Sequence, residues 1–312
     1  YGQYFTIKPV ADFMVSLISH HKNSSILEPS CGEGVFLTSL KENGYNNLCA
    51  YEIDSSLNNP YSFVRYESFI SSPMSDKYDV IIGNPPYVRW KNLEIELKKE
   101  LEKSPLWNAH FNSLCDYLFI FILKSIEQLN DNGELIFICP EYWITTTHSK
   151  SLRDFVIKSG SIVEMYHFKE TPLFEGVTSS FVIFKFVKSA KVNNIPLYKY
   201  VKKGKPLLLE LMRKDCFEKI LIPQFQTGKR WILAGKEEQD AIALLEKACM
   251  KSAGLFDSHM EMYRIGDFCD IGNGMVSGLD KAFRVENTDE LKSLLKKSIK
   301  LIAVTSLVMT IL

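Results

Sequence analysis

The segment that most constrains this chain is Tyr78-Asp79-Val80-Ile81-Ile82-Gly83-Asn84-Pro85-Pro86-Tyr87-Val88. Val80-Ile81-Ile82 is a short β-branched apolar run, the pattern of a buried strand. Gly83 ends it, and two prolines follow. Proline cannot donate to a central ladder, so the backbone must leave the sheet at this point. Asn84 therefore lies at the carboxyl edge of a strand, the edge where open α/β sheets bind ligands.

The side chains of that turn suit a particular chemistry. Asn84 offers an amide on a short arm. Pro85 and Pro86 have fixed φ, so their carbonyls point in set directions. Tyr87 offers a flat aromatic face. Together they fit a planar group with an exocyclic NH2, two acceptors taking the amine hydrogens and the ring stacking on the π system. An isolated Asn-Pro pair is ordinarily just a turn that ends a strand. The four-residue run directly after a buried strand is far more specific.

A second loop precedes it. Ile26-Leu27 reads as a strand that ends in Glu28-Pro29-Ser30-Cys31-Gly32-Glu33-Gly34, followed by an apolar helix start. Gly-x-Gly in a tight βα turn lets the backbone approach a ligand. The third glycine of a dinucleotide fingerprint is absent, as is the Lys-Ser/Thr of a phosphate loop. Glu28 and Glu33 make the loop anionic, which disfavours phosphate and suits the ammonium and sulfonium of S-adenosylmethionine. The next strand, Leu48 to Ile53, places Glu52 about 20 residues beyond the first loop glycine, where a carboxylate can take ribose hydroxyls.

Composition sets outer limits. The 312 residues allow one large domain or two modest ones. With 24% charged and 46% hydrophobic residues, the chain is an ordinary soluble globular one. A net charge of zero gives no basic excess for nucleic acid. Lys199 to Lys205 and Lys229-Arg230 remain candidate basic faces, although each by itself reads as solvated surface. The 7 cysteines are scattered without metal-ligand spacing, which points to a reducing, cytoplasmic setting. Cys31 and Cys139 read as structural, and no metal site is expected. No signal peptide is visible, and the apolar run Leu301 to Leu312 is too short to span a bilayer. A start at Tyr1 instead of Met points to missing upstream residues, and the uncapped apolar end to a truncation or altered frame.

The remaining elements alternate as in an α/β fold. A helix with Val10, Phe13 and Met14 on one face is expected after Thr6, whose hydroxyl can cap it. A strand at Phe63 to Tyr66 leads to Glu67-Ser68-Phe69. Arg89 to Asn112 is polar, charged and aromatic and reads as a long excursion over the site, ordered on substrate binding. A long helix to Leu129 and a strand at Leu135 to Cys139 follow, then a helix near Leu152 to Ile157. Ile162 to Phe168 and Ser179 to Val187 form a hairpin-like strand pair. From Lys188 to about Met260 the pattern turns irregular and charged. Tyr263 to Phe283 is a glycine-dotted set of short β segments.

Asn84-Pro85-Pro86-Tyr87 resembles the catalytic motif of S-adenosylmethionine-dependent amino methyltransferases. Gly2-Gln3-Tyr4-Phe5-Thr6 resembles the segment that precedes the cofactor loop in the gamma class of amino-DNA methyltransferases. Tyr263 to Phe283 resembles the opening of a target-recognition domain. Their order resembles gamma-class adenine-specific (N6) DNA methyltransferases of restriction–modification systems. The resemblance implies a Rossmann-like fold, a seven-stranded mostly parallel sheet with one antiparallel edge strand and the start of a carboxyl-terminal recognition domain. It implies a catalytic domain over 1–188, a connecting segment over 189–255 and a partial recognition domain over 256–312.

The resemblance also implies roles. Asn84, Pro85, Pro86, Tyr87 and Phe174 form the catalytic set, Phe174 packing on the target opposite Tyr87. Tyr4, Phe5, Thr6, Glu28, Ser30, Cys31, Gly32, Gly34, Glu52, Ile53, Ser68, Phe69, Asn84 and Pro86 line the cofactor. Ser68 departs from the family, where Asp commonly holds the cofactor adenine. Double-stranded DNA is the expected partner, a cognate restriction endonuclease a further one, and no membrane is involved. Alternatives are a methyltransferase of ribosomal RNA guanine N2 or release-factor glutamine N5, or an inactive cofactor-binding fragment.

Overall fold

The computed structural model describes residues 6–171, 173–174, 179–229 and 231–252, with side chains up to residue 245. Tyr4, Phe5, the recognition segment Tyr263 to Phe283 and the terminal apolar run lie outside the described residues. By contacts the chain divides into 1–244 and 245–312, and the sheet lies wholly within the first of these.

The chain runs α1 (Lys8–Ser16), β1 (Ile26–Glu28), α2 (Val35–Glu42), β2 (Leu48–Tyr51), β3 (Val64–Arg65) and β4 (Tyr78–Gly83). It continues with α3 (Ile95–Lys103), α4 (Pro105–His110), α5 (Tyr117–Gln128), β5 (Leu129–Pro140), α6 (Lys150–Ser159), β6 (Gly160–His167) and β7 (Phe181–Lys188). Last come β8 (Asn194–Tyr200), α7 (Leu208–Arg213), β9 (Phe217–Pro223) and α8 (Lys236–Ser252).

The nine strands among the described residues form one sheet in the order β3-β2-β1-β4-β5-β7-β6-β8-β9. β1 pairs in parallel with β2 on one side (Ile26↔Leu48) and with β4 on the other (Ile26↔Val80). The chain first winds outward through β2 and β3, then returns to β4. This reversal between β1 and β4 is the switch point at which the strand-end loops part and leave a crevice. The loops after Glu28 and Gly83 therefore open side by side.

Side-chain alternation builds a core on each face. On β4, Val80 and Ile82 join a cluster with Val10, Phe13 and Met14 of α1 and Phe36 and Leu40 of α2. Ile81 points the other way, into a cluster with Leu97, Trp107, Leu118, Leu152 and Val156 from α3 to α6. Leu135, Phe137 and Cys139 of β5 join the second cluster, and Ile136 and Ile138 the first. With helices over both faces, the strands read as continuous apolar runs.

The sheet is larger than expected. β1 to β7 form the α/β arrangement anticipated, and β8 and β9 add two strands beyond seven. Met165, Tyr166 and His167 of β6 pair in parallel with Leu197, Tyr198 and Lys199, and β9 closes the far side antiparallel. Pro196 and the surrounding lysines hid a strand whose Ile195 and Leu197 are buried on one face and Tyr198 and Tyr200 on the other. Pro196 precedes the pairing with β6, so its missing N–H costs that ladder nothing. The antiparallel strand β7 also lies inside the sheet, between β5 and β6, instead of at its edge.

Two more expectations change. The excursion over Arg89 to Asn112 is largely helical: α3 and α4 occupy much of it. Leu93, Leu97 and Leu101, four residues apart, supply an apolar stripe, and Trp107 stacks on Trp90 at 5.4 Å. Thr6 does not cap α1, whose N-cap is Ile7 without a side-chain hydrogen bond. The Thr6 hydroxyl instead accepts a hydrogen bond from Asn84.

Candidate active site

β1 delivers Glu28 to the carboxyl edge, and the chain turns through Gly32 (φ +53°) and Gly34 (φ +88°) into α2. A Cβ on Gly34 would stand 3.0 Å from the Asn59 amide, and its φ is strained for any other residue. Asn59 Nδ2 donates to the Gly32 carbonyl at 2.8 Å, fixing the turn from outside. Glu52, buried at the end of β2, accepts the Gly32 N–H at 2.8 Å and the Asp54 N–H at 2.9 Å, one on each oxygen. Each carboxylate oxygen has two lone pairs, so Glu52 braces the loop and keeps acceptor capacity for hydroxyls. Ile53 beside it is an exposed apolar side chain.

Glu28 is 1% exposed, and its Oε2 has no hydrogen-bond partner among the described residues. Burial first, then the charge of Glu52, raises its carboxyl well above the usual range. An uncompensated buried carboxylate is costly, and a cation beside it relieves that cost. The loop thus fits a ligand that carries positive charge and hydroxyls, as S-adenosylmethionine does. Cys31 in the same loop is pushed far up by burial and by both glutamates, so it is an inert thiol. Burial does the same to Cys139.

The catalytic loop meets this cofactor loop directly. Ser30 Oγ donates to the Asn84 carbonyl at 3.3 Å. Asn84 Nδ2 donates to Thr6 Oγ1 at 3.2 Å. Three segments that are far apart in sequence therefore converge on one asparagine. Pro85 is buried, while Pro86 and Tyr87 are half-buried. The Tyr87 ring meets Phe181 edge-on at 5.9 Å, and Phe174, itself buried, packs on Phe181 at 4.7 Å. The two aromatic residues singled out in the sequence thus share one neighbour.

Ser68 and Phe69 open a short 3-10 turn after β3. Ser68 Oγ accepts the Ile70 N–H at 3.2 Å and so caps that turn. Phe69 is buried between Tyr51 (5.9 Å) and Phe121 (5.3 Å). Lys124 of α5 lies over the Phe69 ring at 5.1 Å and donates to the carbonyls of Ile70 (2.6 Å) and Ser72 (2.7 Å). Burial lowers Lys124 to about 8.

Sequence reasoning missed Asn59, Lys124 and Phe181. Asn59 sits in a loop with no pattern to mark it. Lys124 follows the apolar run Tyr117 to Leu123 and is the one basic residue of helix Tyr117–Gln128, and that charge was the available signal. No His, Cys, Asp and Glu grouping fit for a metal occurs among the described residues. No helix among them is long and apolar enough to cross a membrane.

Comparison with known proteins bears on this geometry. Residues 21–174 match the family described as Eco57I restriction-modification methylase. The chain is 45% identical over 300 residues to the type II methyltransferase M.HindII of Haemophilus influenzae, covering 94% of this chain and 57% of that protein. It is 41% identical over 300 residues to the type II methyltransferase M.HincII of the same species, covering 94% and 56%. The chain thus spans little more than half the length of these relatives. Among solved structures, the type IIG restriction endonuclease BpuSI superposes with a TM-score of 0.56 at 17% identity, over 93% of this chain and 38% of that one. A type I R-M system assembly gives 0.56 at 13% identity, over 79% and 63%. Likeness at such identities shows the fold.

Proposed function

From the match of residues 21–174 to the Eco57I restriction-modification methylase family, we propose the catalytic part of an S-adenosylmethionine-dependent DNA methyltransferase that acts on adenine N6. The observation that carries this reading is the convergence of Thr6 and Ser30 on Asn84 at the switch point of the sheet. The cofactor loop and the amine-binding loop there share a hydrogen bond.

Each group then has a task. The target adenine leaves the duplex, because its N6 is otherwise engaged in pairing. Tyr87 stacks on it and Phe174 closes its other face. The donation from Asn84 Nδ2 to Thr6 makes the carbonyl the acceptor end of that amide. This oxygen and the Pro85 carbonyl accept hydrogen bonds from the two N6 hydrogens, which bends the nitrogen toward tetrahedral geometry and frees its lone pair; as N6 bonds to the methyl group the sulfur–methyl bond would break to leave a neutral thioether, and one N6 proton would pass to solvent. The cofactor, when bound, supplies an electrophilic methyl group. Orientation then supplies much of the rate, and no covalent enzyme intermediate is needed.

The same reading places Glu28, Ser30, Cys31, Gly32 and Gly34 around the methionine end of the cofactor, with Thr6 and the outlying Tyr4 and Phe5. Glu52 takes the ribose hydroxyls, while Ile53, Ser68, Phe69 and Pro86 flank the adenine. Double-stranded DNA is the substrate and a cognate restriction endonuclease the natural counterpart. The recognition segment over 256–312 belongs to the same proposal.

The test is to supply labelled cofactor with plasmid DNA, ribosomal RNA and release factor in parallel, then to identify the methylated product. N6-methyladenine in DNA alone is the expected result. Label in guanine N2 of RNA or in glutamine moves the reading to those substrates. Cofactor binding without transfer to any of the three marks an inactive fragment.

A further inference from the structure

A cavity of about 490 Å³ adjoins the catalytic loop but contains none of its four residues. Its wall includes Arg89, Trp90 and Lys91 just after the loop, Asp116 at the start of α5, and Tyr142 and His148 after β5. The chain's connections hold it to the loop. The Tyr117 N–H donates to the Val88 carbonyl at 2.9 Å, and Arg89 forms a backbone bridge with Asp116. These two contacts tie the cavity wall to the segment that carries Tyr87.

The lining combines exposed basic side chains, aromatic rings and a buried carboxylate. Arg89, Lys91 and His148 are exposed at its mouth. None of the three forms an ion pair among the described residues, although other exposed lysines do, such as Lys150 with Asp154. Trp90 has one ring face against Trp107 and is only half-buried. Deeper in, Asp116 is 7% exposed and accepts the Leu118 N–H at 3.0 Å with one oxygen. The buried Tyr142 hydroxyl lines the same wall within hydrogen-bonding reach of Asp116, and the charge of Arg89 acts on that carboxylate. Arg89 and Lys91 at the mouth, flat rings on the side and the Asp116 carboxylate at the base match phosphate, base and exocyclic amine in that order.

We propose that this cavity holds the nucleotide next to the methylated one on the same DNA strand, its base against Trp90 and Tyr142 and its phosphate at Arg89 and Lys91. Asp116 then favours a neighbouring base that carries an amino group. The identity of the strand as DNA rests on the function proposed above; the pocket itself does not. Position next to the flipped base gives it a part in sequence selection that does not depend on a separate recognition domain.

The test uses short fluorescein-labelled single-stranded DNA of mixed sequence, followed by anisotropy, with the whole chain as wild type, Trp90→Ala, Trp90→Phe and Arg89→Ala/Lys91→Ala. Loss of the stacking ring is expected to weaken binding about 5- to 160-fold, with substantial recovery in Trp90→Phe. Loss of the two exposed cations is expected to flatten the slope of log affinity against log salt by about 0.7 for each. S-adenosylmethionine affinity, measured calorimetrically, stays unchanged in all three variants and shows that they are folded. Wild-type DNA affinity and salt slope in folded variants would overturn the pocket even if the protein methylates DNA. A wild type that methylates RNA or protein and does not bind DNA would overturn both readings together.

Discussion

Asn84 and Glu28 show how single residues carry the site. Asn84→Ala removes an acceptor for the target amine and the donor to Thr6. Methyl transfer should fall on the order of 100-fold or more, by analogy with loss of one preorganised catalytic hydrogen bond. Cofactor affinity measured by calorimetry should hold, and an equal loss of both would mean that Asn84 only supports the loop. Glu28 makes a prediction about pH. Its folded carboxyl binds a proton more tightly than the usual value of 4.5. Above that value the folded state therefore holds protons that the unfolded state has released, and stability falls as pH rises toward the raised folded value. Urea titrations should show this fall in the wild type, a flatter profile in Glu28→Gln, and a smaller fall with saturating cofactor. Parallel profiles for wild type and Glu28→Gln would refute the assignment of that strain to Glu28.

Among the elements, α1 depends most on side chains that a sequence scan would assign to the surface. Lys185 of β7 pairs with Glu134 of β5 at 2.9 Å, and both are nearly buried. Lys185 also donates to the Leu17 carbonyl and to Ser19 Oγ, both at 2.6 Å, and Glu134 accepts the Ser19 N–H at 3.0 Å. The pair thus fastens the segment after α1 to the sheet. Lys185→Met should destabilise the protein by about 3–5 kcal/mol, because it leaves Glu134 buried without its partner. Adding Glu134→Gln should recover part of that loss, and chemical denaturation of both variants would reveal it. α3 and α4 were hidden for a related reason. Charged residues between Leu93, Leu97 and Leu101 concealed a stripe that is plain once the helix is seen from its buried side.

For the whole molecule, the sheet extension sets the limits of what folds. β8 covers the edge that β6 would otherwise expose, and buried Trp231 packs on Trp143 at 5.5 Å beyond β9. A chain ending at Leu244 should keep a cooperative thermal transition and bind cofactor. A chain ending at Lys191 should aggregate through the open β6 edge, and sedimentation would separate the two cases. The sequence by itself determined the buried strand before Asn84, the anionic glycine loop and the carboxylate at Glu52, because each is written in adjacent residues with a period or a turn of its own. The pairing of Thr6 and Ser30 with Asn84, the place of Phe181 between two aromatic residues and the two added strands were decided by tertiary structure alone. These depend on which strand lies beside which, and strand order is set by burial summed over the whole sheet, a quantity that no local window of residues contains.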